Sequence, residues 1–161
     1  MVKKSILAAY ICLCIMCLIL IAMPAMHKKE TMTREQIEHV MKQHPLTKDM
    51  IEADARMIRR FYHLDSNQYE SAHVWRKESV MDVEEAALFT AKNKKQQEEI
   101  IAACKAHIRN QIISFEGYGD DQVALLKQAV IVPYGEHVLC IVSKYADELQ
   151  EEIEQGKGIE S

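Results

Sequence analysis

The chain has 161 residues, a hydrophobic fraction of 48% and a formal net charge of −4 at pH 7. Beyond residue 30 it holds 16 Lys and Arg against 23 Asp and Glu, a net charge of −7. That is enough chain for one hydrophobic core, and its acidic surface excludes nucleic acid, whose phosphates demand a basic footprint.

The first predicted element is an uncharged run from Ile6 to Met26. As a helix it would be about 31 Å long, close to the hydrocarbon thickness of a bilayer. Lys3 and Lys4 precede it and Lys28 and Lys29 follow, offset partly by Glu30. With a short basic lead, this predicts a cytoplasmic amino end and an exported domain. Ala22-Met23-Pro24-Ala25-Met26 offers no A-x-A triplet, so residues 1–30 read as an uncleaved signal anchor. Cys12, Cys14 and Cys17 read as lipid-compatible apolar side chains.

Thr33 and Gln36 form a capping box for a short helix through Ile37, Val40 and Met41, ending before Pro45. His39 and His44 do not share a helical face, so they read as solvated rather than as a metal pair. A second helix is expected from Thr47, with Leu46 and Ile51 as a staple and Ile51, Ala55, Ile58 and Tyr62 as its stripe. The stretches YESAHVWRKES and EAALFTA alternate imperfectly and predict a hairpin turning near Met81–Glu84. Trp75 reads as an aromatic packed on the sheet.

A long helix follows, capped by Asn93, with Ile100, Ile101, Cys104, Ile108, Ile112 and Phe115 at spacings of three and four. Ile101, Cys104, Ile108 and Ile112 are expected to face the sheet. His107 and Asn110 lack partners at useful spacing. Gly117 suits the left-handed cap, and Asp120 or Asp121 would cap a short helix; their loop lacks the ligand repeat of a calcium hand. Ala129–Val132 and His137–Val142 are then expected to form a second hairpin around Pro133-Tyr134-Gly135-Glu136. The returning strand is apolar on both faces, which predicts an inner strand. Ser143 would cap a last helix containing Ala146, Leu149 and Ile153, and residues 156–161 read as a frayed tail.

The expected fold is α+β: a four-stranded antiparallel sheet of two hairpins, one face covered by the long helix, behind a transmembrane helix. An exported location permits a disulfide between Cys104 and Cys140; two buried free thiols is the other reading. Ser114, Ser143, Cys140, His107 and His137 supply catalytic residue types without a local catalytic signature. No HExxH, CxxC or glycine-rich phosphate loop occurs, so no metal or cofactor is expected.

The order FYHLD, EEAALFTAK, ISFEGYGDDQVALLKQA and VIVPYGEHVLCIVSKYADEL resembles DUF4358, a family of small extracytoplasmic proteins of Gram-positive bacteria. The resemblance covers residues 48–154, departs at Gly119-Asp120, where a proline is usual, and implies no reaction. The expected function is a membrane-tethered extracytoplasmic interaction or envelope-accessory module without catalysis. Its partners would be the membrane, through residues 6–26, and an unknown protein or envelope component. Val130, Val132, Tyr134 and Val138 are the candidate contact residues. The alternative is a small envelope-associated hydrolase with a cleft near His137, Tyr118 and Asp121.

Overall fold

The computed structural model describes residues 32–156. The apolar run at 6–26 and the tail beyond 156 lie outside the described residues. Among those described, no helix is long and apolar enough to cross a membrane.

The elements are α1 (Arg34–Gln43), β1 (Ile51–Glu52), α2 (Ala55–Tyr62), β2 (Ser71–Arg76), β3 (Glu85–Thr90), α3 (Lys94–Phe115), α4 (Asp120–Lys127), β4 (Val130–Tyr134), β5 (His137–Val142) and α5 (Ala146–Gln155). The five strands form one antiparallel sheet in the order β1-β2-β3-β5-β4. The hairpins β2–β3 and β4–β5 occur as their alternation predicts. They join through β3 and β5, in a register that sets Ala87 opposite Cys140 and Phe89 opposite Val138.

Side-chain alternation divides the core in two. Ala87, Phe89, Val138, Cys140 and Val142 point toward α2, α3 and α4. Ala86, Leu88, Leu139 and Ile141 point toward α1 and α5. Both faces of the sheet are therefore covered, which corrects the single-faced expectation. The apolar stripe of α1 (Ile37, Val40, Met41) and that of α5 (Ala146, Leu149, Ile153) form the second layer. Each fully buried Ile or Leu of this kind contributes about 1.5–3 kcal/mol.

The fifth strand is the other correction. Ile51 and Glu52 pair with Arg76 and Trp75 as an edge strand. The second helix starts only at Ala55, capped by Asp54, whose carboxylate accepts the Met57 N–H at 2.7 Å. Ile51 is 41% exposed and staples nothing. Thr47 instead closes the turn after α1, its hydroxyl donating to the Met41 and His44 carbonyls.

The ends of α3 follow the sequence. Asn93 caps it by accepting the Gln96 N–H, and Gly117 beyond its last turn has φ of +91°. Cys104 and Ile108 are buried, and Ile101 and Ile112 pack half-buried against the same core. Gly119, not an aspartate, is the cap residue of α4; Asp120 and Asp121 occupy its first turn, where the helix dipole favours carboxylates. Similarly α5 begins after Tyr145; the Ser143 hydroxyl accepts the Tyr145 N–H and makes no side-chain cap to the helix.

Candidate functional site

Helix α3 spans 22 residues, about 33 Å, and the sequence candidates divide between its two ends. At its start, Gln97 donates to the carbonyls of Gly135 and His137 at 2.8 and 3.3 Å. His137 is buried there, with Nδ1 3.0 Å from the Thr90 hydroxyl. Burial holds its imidazole below the ordinary value, partly opposed by Glu136. Beside it a cavity of about 390 Å³ is lined by residues including Lys92, Lys94 and Glu136.

The far end of α3 holds a second cavity of about 560 Å³, lined by Met81, Phe115, Tyr118, Gly119, Asp120, Asp121 and Gln122. The backbone N–H of Val83 donates to Gln122 Oε1 at 3.1 Å and fastens the β2–β3 loop to α4. The rings of Phe115 and Tyr118 lie 5.5 Å apart. Tyr118 is 63% exposed, and Val80 and Met81 are 75% and 57% exposed. Tyr118 and Asp121 thus share one cleft, whereas His137 lies at the other end of the helix. The three do not converge, so the hydrolase reading lacks its base.

The β4–β5 hairpin places the contact candidates differently from one another. Val138 is wholly buried on the α3 side and cannot meet a partner. Val130, Val132 and Tyr134 are half-buried toward α1 and α5. The Tyr134 hydroxyl accepts the Met32 N–H at 3.1 Å. β4 is an edge strand, but Pro133 within it has no donor to offer an added strand.

Between the two ends lies a polar cluster that local spacing did not reveal. His107 does have partners: its Nε2 is 2.8 Å from Glu85 Oε1, and the Tyr62 hydroxyl donates to that same oxygen at 3.0 Å. All three residues are buried, and the Tyr62 and His107 rings are 4.4 Å apart. Burial, then the Glu85 carboxylate, push the Tyr62 phenol well up. Cys104 and Cys140 lie alongside as free thiols. A hydrogen bond to Cys104, then burial, push the Cys140 thiol well up, which disfavours the reactive thiolate. Closed to solvent, the cluster ties α2 and α3 to β3. Two features of the sequence could have located its members, though not their pairing: His107 lies three residues from Cys104 on the apolar stripe, and Glu85 alternates in phase with Ala87 and Phe89.

His44 is buried rather than solvated, while His39 is exposed. With Glu148 and Glu152 it brings three ligand-type atoms within 4.8 Å of one another. The ring does not fit a metal. Its Nδ1 accepts the Leu46 N–H at 3.1 Å, which assigns the ring proton to Nε2. In that tautomer it offers the carboxylates an N–H rather than a lone pair.

No curated protein and no solved structure matches the chain. Residues 42–143 match the family described as a domain of unknown function, DUF4358; the match takes in well over half of the chain, and the protein belongs to that family.

Proposed function

We propose that the protein is a membrane-tethered interaction or envelope-accessory module. Residues 6–26 hold it in the membrane, its domain lies on the extracytoplasmic side, and it acts without catalysis of its own. The observation that carries this reading is the arrangement along α3. Met32, the first described residue after the apolar run, is fixed to Tyr134 at the start of the helix. The exposed apolar residues Met81 and Tyr118 line the cavity at its other end, and Val80 and Ile113, close to them in sequence, are exposed as well. A tether raises the local concentration of such a surface near membrane partners without new contacts. The cleft is a stronger contact candidate than the β4 edge, where Pro133 interrupts the donors.

The test uses the full-length chain in cells, with a photo-crosslinking side chain at position 118 and an anchor-only control. The expected result is a reproducible protein adduct that the control lacks, formed in protoplasts whose exposed domain is degraded by added protease. Survival of the domain until lysis would overturn the location. Turnover of an envelope substrate by the full chain would replace the module with the hydrolase.

A further inference from the structure

The charges around the Tyr118 cleft indicate what it would accept. Asp120 and Asp121 are among its lining residues and no Lys or Arg is; Asp82, Glu84 and Glu116 lie close to lining residues in sequence. Glu84 is engaged by Ser143 at 3.0 Å and by Lys77 at 4.0 Å, and Asp82 accepts the Glu84 N–H. Asp120 and Asp121 are exposed, without a salt bridge among the described residues. An unneutralised carboxylate pair thus adjoins an exposed tyrosine and methionine over a cavity. We infer that the cleft between the β2–β3 loop and the α3–α4 turn binds a basic, apolar peptide segment. Its apolar side chain would pack on Met81 and Tyr118, and its Lys or Arg would meet Asp120 and Asp121. An aromatic anchor beside a charged rim is the usual anatomy of such a contact.

The backbone maintains the cleft. A Cβ on Gly119 would stand 2.8 Å from Phe115 Cδ1, so glycine there lets the Phe115 ring form the floor. The two carboxylates lie in the first turn of α4, at the rim of the cleft.

The inference rests on the interaction-module reading, and its test is separate. The full-length chain in nanodiscs of zwitterionic lipid is titrated with a short fluorescent peptide repeating Lys-Leu-Ser. A Glu-Leu-Ser peptide and empty nanodiscs serve as controls. Saturable binding that weakens about tenfold or more in D120N/D121N and in Y118A, and falls with added salt, is the expected result. These positions are exposed, so the variants should melt with the parent. Equal binding of the Glu peptide, or affinity unchanged in both variants, would overturn the inference. So would self-association of the chain lost in Y118A, which would put a second copy in the cleft. Failure here with a persistent adduct at position 118 in cells would leave the module and remove only the partner class.

Discussion

The Tyr134 hydroxyl accepts a hydrogen bond from the Met32 backbone, 102 residues away in sequence. The N-terminal entry of the domain is thereby pinned to a strand near its C-terminal end. Y134F should free this donor at a cost of about 1 kcal/mol. Hydrogen exchange would show the Met32–Thr33 amides opening faster while β5 stays protected. Unchanged exchange at Met32 would show that burial of Met32 alone holds the entry.

The Glu85–His107 contact should be energetically coupled. Removing His107 leaves a buried carboxylate with only the Tyr62 hydroxyl. H107A should therefore cost about 3 kcal/mol or more in denaturant unfolding. A double-mutant cycle with E85A should return a coupling of at least about 1.5 kcal/mol. A coupling below about 0.5 kcal/mol would mean that the two residues act separately.

G119A should destabilise the domain by about 1–3 kcal/mol, since the new methyl group must displace a buried aromatic ring. Its φ is −127°, so backbone strain is not the cause. Combining it with F115L should recover part of the loss. A thermal melt equal to the parent would show that the Phe115 ring moves freely.

His137 should make the domain acid-sensitive. Burial depresses its pKa from the ordinary 6.5, so below that value the unfolded chain binds the proton and the folded chain does not. The stability it contributes is present above about pH 6.5 and is lost as pH falls toward the depressed value. H137Q should flatten this limb relative to the parent, measured as urea midpoint against pH. Parallel curves would refute the assignment.

The elements that could be read from sequence are those whose signal is local. Helix α3 announces itself through Asn93, Gly117 and an apolar stripe of spacing three and four. The β4–β5 hairpin shows in alternation around Gly135. The failures are long-range. Thr47, Leu46 and Ile51 imitate a cap and staple, yet Ile51–Glu52 is claimed by β2, more than twenty residues on. Tertiary pairing overrode local preference there. The second layer was missed because α1 and α5 are amphipathic at opposite ends of the chain, and neither indicates which face of the sheet it covers. Of the cleft candidates, Tyr118 and Asp121 are close in sequence and stayed together. His137 was joined to them only by residue type.

The rear layer bears on how the protein is made. α1 and α5 both lie largely outside residues 42–143, and together they seal the face formed by Leu88, Leu139 and Ile141. α1 leaves the ribosome roughly a hundred residues before α5 begins. Until α5 arrives, the nascent domain carries an apolar sheet face only half covered, the kind of surface that invites misassociation. Folding of this domain is therefore completed only when α5 docks, and a truncation before Leu149 should produce a chain that depends on chaperones rather than a smaller stable domain.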